Sequence, residues 1–253
     1  MSEYIISVKN LFKKYGSFEA VKGISFEVKK GEVFGILGPN GAGKTTTLEI
    51  IEGLRDATSG EIFLDGINTQ KKKFEVKHKI GIQLQSSGFY DKLNLKELME
   101  LFASLYGRNI DYKEVLSEVG LLDKAKSQVK ELSGGQKQRF SIASALVNDP
   151  LVIFLDEPTT GLDPQARRNL WELVESIKAK GKTIIMTTHY MDEAERLCDR
   201  VAIMDDGKIV SMDTPDHLID QLLNKGFSKP KTEKGANLED VFIDLTGKDL
   251  RES

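Results

Sequence analysis

The sequence predicts an α/β fold: a mainly parallel sheet core, preceded by an N-terminal antiparallel β subdomain and interrupted by an inserted α-helical subdomain. Three observations carry this reading. After Pro150, short apolar runs alternate with helix-length segments, the pattern of a parallel sheet flanked by helices. Val33-Phe34-Gly35-Ile36-Leu37 enters a glycine-rich loop that leads into a helix pattern. From Leu95 to Asn148 the spacing of apolar residues is predominantly helical.

Taken in order, alternation at Tyr4 to Val8 and Ser25 to Val28, then Glu61 to Leu64 after Gly60, marks short half-buried strands. The strand from Val33 to Leu37 passes through its loop into a helix from Lys44 to about Gly53. Lys79 to Leu84 is strand-like, and helical spacing follows at Leu95 to Tyr106, Asp111 to Val119 and Gly135 to Asn148, with Asp111 and Glu114 as a capping pair. Next come a strand at Leu151 to Leu155 and a helix from Pro164 to about Lys180. Asp163 caps that helix, Pro164 takes its first position and Gly181 lies just past its end. A strand at Thr183 to Thr187, a helix at Met191 to Cys198 and a strand at Arg200 to Met204 complete the alternation. Asp206-Gly207 turns a hairpin between Val201 to Asp205 and Ile209 to Met212. The expected organisation is one main domain over 1–224 with its helical subdomain at about 86–148, a polar, lysine-rich linker over 225–236, and a helical tail over 237–253.

A chain of 253 residues suits one large domain. Hydrophobic residues at 40% and charged residues at 30% exclude a disordered profile, and a net charge of -3 argues against a general nucleic-acid-binding surface, so no nucleic-acid partner is expected. The start carries neither a positive leader nor a long apolar segment. The longest apolar run, Leu151 to Leu155, falls far short of the roughly 20 residues of a membrane-spanning helix. Any action on a membrane therefore requires a membrane-spanning partner, and the expected location is cytoplasmic. The one cysteine, Cys198, forms no internal disulfide, which suits a reducing compartment.

Chemistry concentrates at three places. Gly38-Pro39-Asn40-Gly41-Ala42-Gly43-Lys44-Thr45, followed by Thr46, fits G-x-x-x-x-G-K-[ST] between a strand and a helix. Its glycines let backbone N–H groups turn toward phosphates, the helix start adds its positive end, Lys44 supplies a full charge and Thr45 a hydroxyl for Mg2+. Val152-Ile153-Phe154-Leu155-Asp156-Glu157 is an apolar strand ending in two acids, expected beside the loop. Asp156 is placed for Mg2+, while Glu157, on the opposite side of the extended chain, is placed to polarise water. Ser133-Gly134-Gly135-Gln136, after Leu132, makes a capping-box helix start whose glycines leave the first N–H groups uncovered, a second anion-binding helix end.

Leu132-Ser133-Gly134-Gly135-Gln136 with Lys137-Gln138-Arg139 resembles the signature of the ATP-binding cassette family, and the other motifs stand in that family's order from Val8 to about Met212. The resemblance implies a P-loop NTPase that binds ATP and Mg2+ and hydrolyses ATP. It implies two cassettes, either two copies or a pair with a sibling chain, closing on ATP so that Ser133 to Gln136 of one faces the γ-phosphate held by the other. It further implies a membrane-spanning permease as partner and a peripheral position at the inner face of the membrane. Tyr15 takes the place of the adenine-stacking aromatic, although the residue alone fits a core position as well. Gln85 corresponds to the glutamine that touches Mg2+ and senses the membrane partner, with Gln83 as the neighbouring choice and Phe89 and Tyr90 as partner contacts. Asp163 resembles the loop aspartate at the dimer interface, and His189 the switch histidine that contacts the γ-phosphate and supports Glu157. His78 and His217 have no such context. Asn237 to Phe242 with Leu245-Thr246-Gly247 looks like the ending of bacterial drug, antibiotic and polysaccharide exporters, and equally like a capped amphipathic helix docked on the domain. A cassette ATPase acting on the ribosome or DNA is the alternative. The short stretch between Gln85 and Ser133 leaves no room for a long coiled coil, and there is one set of motifs.

Overall fold

The computed structural model describes residues 3–83, 88–227 and 238–246. β1 (Tyr4–Tyr15) and β2 (Phe18–Lys29) form a long hairpin. Sequence patterning finds only part of each strand, because register shifts between Val8 and Leu11 and a left-handed Asn10 (φ 48°) break the alternation. β3 (Val33–Leu37) leads to α1 (Lys44–Ile51), followed by β4 (Ser59–Leu64), β5 (Ile67–Asn68), α2 (Lys73–Lys77) and β6 (Ile80–Gln83). The helical stretch supplies α3 (Leu95–Leu105), α4 (Tyr112–Glu118) and α5 (Gly134–Leu146). The alternating half then runs through β7 (Val152–Asp156), α6 (Pro164–Ala179), β8 (Thr183–Thr188), α7 (Met191–Leu197), β9 (Arg200–Asp205), β10 (Lys208–Asp213), α8 (Pro215–Asn224) and α9 (Leu238–Thr246).

Two sheets result. The first, in order β2-β1-β4-β5, is antiparallel throughout. In the second, ordered β10-β9-β3-β8-β7-β6, every pairing is parallel except the β9–β10 hairpin. Strands of a parallel sheet are covered on both faces and so read as continuous apolar runs, and their alternate residues feed two separate cores. Phe34, Ile36, Val152, Phe154, Ile185 and Ala202 point into a core shared with α1 and the antiparallel sheet. Val33, Leu37, Ile153, Leu155, Ile184 and Ile203 point into another, shared with α3, α5, α6 and α7. The phosphate loop lies between β3 and α1, at the carboxyl end of the sheet, where such folds bind ligands.

β8 lies between β3 and β7 and pairs with both. Asp156, at the end of β7, nevertheless lies beside the loop as expected, 3.2 Å from Thr45 Oγ1, and β8 contributes Thr187, whose hydroxyl donates to Asp156. A helix absent from the sequence reading, α8, was signalled by Thr214, whose hydroxyl accepts from His217 N at 3.2 Å, and by Pro215 in the first turn.

α9 packs on α7, α8 and β10 and shares the larger core through Leu238, Val241 and Phe242, all buried. Glu195 accepts from the Leu238 N–H, and Lys225 pairs with Asp244 at 2.7 Å. Replacing fully buried Phe242 by Ala is expected to cost about 3 kcal/mol through lost transfer energy and a cavity. Denaturant unfolding of the whole chain measures this, and a change in midpoint below the error would detach α9 from the cooperative unit.

Candidate functional site

Five cap residues, Asn94, Asp111, Ser133, Asp163 and Thr214, each place a side-chain acceptor on a backbone N–H of the helix they begin. Gly43, which begins α1, offers none. It sits at φ 98°, and a Cβ there would lie 2.5 Å from the Ala20 carbonyl oxygen, so the position requires glycine. The uncapped positive end of α1 therefore opens into the loop and is suited to phosphate.

Lys44 stands at the centre, 4% exposed. Its Nζ donates to the carbonyls of Gly38 at 2.9 Å and Pro39 at 3.0 Å and lies 3.3 Å from Glu157 Oε1. Burial lowers the pKa of its ammonium, against the attraction of Glu157 and Asp156. Thr45 Oγ1 is 3.2 Å from both oxygens of Asp156, and Thr187 Oγ1 donates to Asp156 Oδ1 at 2.5 Å. Burial raises the Asp156 pKa and the two hydroxyls oppose it. A hydroxyl and a carboxylate meeting at the mouth of a phosphate loop are hard oxygen donors, the chemistry Mg2+ takes when phosphates and water complete its shell. Among the described residues no cluster of three or more His, Cys, Asp or Glu that could hold a metal ion is found.

Glu157 does not continue the strand. Its φ of 46° turns the chain into the left-handed region, and its N–H is held by the Thr187 carbonyl at 3.2 Å and hydroxyl at 3.0 Å. That turn, rather than the pleat of an extended chain, aims its carboxylate at Lys44 and His189. The His189 Nδ1 to Glu157 Oε2 distance is 3.4 Å, an ion-pair separation without good hydrogen-bond geometry. Its neighbours His189 and Lys44 together outweigh burial and hold the Glu157 pKa down at about 2.

A cavity of about 270 Å³ extends from the loop and is lined by Tyr15, Phe18, Ala20, Asn40, Gly41, Gly43, Lys44, Thr45, Thr46 and Glu157. Tyr15 thus borders the phosphate loop, with Lys13 and Arg55 against its ring at 4.9 and 5.6 Å. Phe18, 61% exposed, is a second aromatic at the cavity that the sequence reading missed. Its signal was position: it faces Tyr15 across the β1–β2 turn. Ala42 is buried behind the loop.

Ser133 to Gln136 lies elsewhere. Ser133 Oγ accepts from Gln136 N at 3.3 Å and Gln136 Oε1 accepts from Ser133 N at 2.9 Å, the reciprocal box expected. Ser133, Gly135, Gln136 and Asp163 border a separate cavity of about 210 Å³ that shares no residue with the first. Gly135 is required by packing, since a Cβ would meet Ala166 Cβ at 2.8 Å, whereas beside Gly134 nothing comes closer than Leu162 at 3.9 Å. Asp163 Oδ1 accepts from Gln165 N and Ala166 N at 2.9 and 2.8 Å, confirming its capping position. Gln85 lies outside the described residues. Of the expected partner contacts, Tyr90 is exposed, but Phe89 packs inward on Phe102 and Phe140 against the larger core.

A glycine-rich loop with a buried lysine and an uncapped helix start, facing a strand-end carboxylate, defines a P-loop nucleoside-triphosphatase site. The family model for ABC transporters matches residues 21–160, and the chain belongs to that family as an ATP-binding, ATP-hydrolysing cassette subunit. It is 43% identical over 225 residues to the Nod factor export ATP-binding protein I of Burkholderia orbicola (strain AU 1054), covering 87% of this chain and 74% of that one. The linearmycin resistance ATP-binding protein of Bacillus subtilis (strain 168) is 41% identical, over 86% of this chain and 72% of its own. A solved ATP-binding subunit of an ABC transporter superposes with a TM-score of 0.82 at 30% identity, over 96% of this chain and 99% of that one. A dimeric cassette in a post-hydrolysis state bound to ADP and Pi superposes with a TM-score of 0.74 at 31% identity, over 83% and 98%.

The far end of α1, outside the cavity lining, carries a pH-sensitive acid. Glu52, at the end of α1, is 2% exposed, and burial, with Asp156 and Glu49 nearby, pushes its pKa from 4.5 up to about 8. Because the folded chain holds this proton more tightly than the unfolded chain, stability from this group is greatest below pH 4.5 and declines up to about pH 8. The slope is at most about 1.4 kcal/mol per pH unit. Glu52→Gln is therefore expected to raise the thermal midpoint more at pH 8 than at pH 5. An equal gain at both would show that Glu52 is ionised in the folded protein.

Proposed function

We propose that this chain is the motor of an exporter. Two cassettes, either two copies or one paired with a sibling, close around two ATP molecules and drive a separate membrane-spanning permease from the cytoplasmic face. The observation that carries the reading is the separation of the two anion-binding helix starts within one chain. The loop from Gly38 to Thr46 and the Ser133 to Gln136 segment border different cavities, so both engage one triphosphate only if a second cassette contributes the latter. The nearly open space beside Gly134 favours such an approach. Export rests on the names of the two relatives and on the tail sequence. Among the described residues no helix is long and apolar enough to cross a membrane, which leaves that task to a partner.

In this reading Tyr15, with Phe18, stacks on the base, and the loop amides and Lys44 hold the phosphates. Thr45, Asp156 and Gln85 are the residues that would hold Mg2+, whose chemistry when bound is to neutralise charge on the β- and γ-phosphates. Lys44 cannot serve the phosphates while it remains fully committed to Gly38, Pro39 and Glu157. Its transfer to phosphate oxygens relieves Glu157 of one counter-charge and makes that carboxylate a better proton acceptor for the attacking water. His189 stays beside Glu157 to orient it and to meet the γ-phosphate, while Asp163 lies at the edge of the cavity offered to the second cassette. Loss of the γ-phosphate then removes the charge that holds the cassettes together. The main domain over 1–224, its helical subdomain, the linker and the tail act here as one motor with a sensing arm.

Glu157→Gln retains an acceptor for Lys44 and is expected to bind ATP normally, to abolish turnover and to accumulate as an ATP-bound dimer in size-exclusion chromatography. Hydrolysis at the wild-type rate would remove Glu157 from this role. Co-expression with candidate permeases followed by affinity purification is expected to recover a multi-span membrane protein; recovery of ribosomes or DNA alone would favour the non-transport alternative.

A further inference from the structure

Behind His189 lies a second set of side chains that the hydrolytic reading does not use. Glu193, in the first turn of α7, is fully buried. Its Oε1 accepts from the Trp171 indole N–H at 3.1 Å. Trp171 is the sole tryptophan of the chain and belongs to α6, the helix that begins at Asp163. The hydroxyls of Thr188 and Thr159 flank the same carboxyl and oppose the rise in pKa that burial imposes. Thr188 immediately precedes His189, and Thr159 follows Glu157 by two positions. Glu193 therefore touches all three segments that carry Asp163, Glu157 and His189.

A parallel connection runs over the surface. The His189 ring lies 4.2 Å from the Tyr190 ring, and Arg167 lies over Tyr190 at 5.5 Å and over Trp171 at 5.2 Å. Arg167 also pairs with Asp192 at 3.4 Å and donates its backbone N–H to Asp163 O at 2.9 Å, one turn into α6. Arg196 covers Trp171 at 5.0 Å. The start of α6 is thus tied to the start of α7 by a charged, aromatic clasp above and by a buried carboxyl below. A buried carboxyl is costly unless fully satisfied, yet Glu193 Oε2 and Thr159 Oγ1 both lack a hydrogen-bond partner of good geometry. Leucine would fill this site without that cost, so packing alone does not account for a glutamate here.

We propose that Glu193 and Trp171 are a positioning pair for ATP hydrolysis, fixing His189 and the Glu157 segment relative to the Asp163 end of α6 so that the approach of a second cassette sets the catalytic geometry. Neither residue lines the cavity at the phosphate loop, so the pair acts through the residues it holds. The inference rests on the assignment of Glu157 and His189 to hydrolysis, which the Glu157→Gln variant tests separately.

The experiment compares kcat, KM for Mg-ATP and thermal midpoint in the full-length chain. Glu193→Leu removes the acceptor, Trp171→Phe removes the donor with little change in apolar volume, and Glu193→Gln keeps an acceptor for the indole. Displacement of catalytic groups by a fraction of an ångström predicts a kcat loss of roughly tenfold or more in Glu193→Leu and in Trp171→Phe, with KM within about twofold. Glu193→Gln should recover most of the rate. The double variant Glu193→Leu with Trp171→Phe should be no slower than the worse single variant. Trp171 emission should also shift when Mg-ATP is added to the wild type. Wild-type kcat in both Glu193→Leu and Trp171→Phe would overturn the proposal, and so would losses that follow the thermal midpoint and appear equally in KM, the mark of a purely structural contact. If Glu193→Leu fails to fold, Trp171→Phe and Glu193→Gln decide on the same criteria.

Discussion

A buried ammonium organises the site. Taking Lys44 out of water is costly unless the charge is matched and its donors are filled, and the partners that do this come from different parts of the chain: two loop carbonyls and the Glu157 carboxylate beyond β7. The loop must curl for its carbonyls to turn inward, and the chain must enter the left-handed region at Glu157 for that carboxylate to reach across β8. The strand order, the strained backbone at Glu157 and the bare end of α1 are all consistent with holding one charge at the place where more negative charge is to arrive. Phosphate oxygens are acceptors for the same donors, so binding becomes an exchange of partners rather than the creation of a new buried charge.

β8 has a larger part in this than the sequence suggested. Thr187 donates to Asp156 and receives the Glu157 N–H, so the two acids are fixed by a hydroxyl on a neighbouring strand. The same strand ends at Thr188, whose hydroxyl accepts the Tyr190 N–H at 3.0 Å and so shapes the turn that presents His189. Threonine suits both tasks, since its branched carbon favours the strand while its hydroxyl both donates and accepts.

Much of this was legible in the sequence, for identifiable reasons. The parallel core was readable because strands covered on both faces leave unbroken apolar runs, as at Val152 to Leu155, and because helix punctuation such as Asp163-Pro164 is local chemistry. The phosphate loop and the Ser133 box were readable because their function is itself local, in backbone amides at a helix start. Strand order was not, because the Leu151 to Leu155 pattern says nothing about which neighbour it pairs with. The turn at Glu157 was also hidden, because the contacts with Thr187 and Lys44 that help to hold a glutamate at positive φ come from distant parts of the chain. Phe18 escaped because an exposed aromatic beside a turn has no periodicity to mark it. Glu193 and Trp171, 22 positions apart, carry no motif and meet only through the packing of α6 on α7.

The charge balance around Lys44 also bears on the order of events in the proposed mechanism. Glu157, depressed to about 2 by His189 and Lys44, is firmly ionised but a weak base, because the neighbours that keep it charged also stabilise it against taking a proton. Asp156 has the opposite tendency, pushed up by burial and restrained by two hydroxyls, so it gains most from a nearby cation. In the proposed mechanism a triphosphate that takes Lys44 as its partner would relieve Glu157 of one counter-charge, and a cation held by Thr45 and Asp156 would supply Asp156 with one. That exchange would remove one of the two neighbours that keep Glu157 from accepting a proton, while His189 stays beside it.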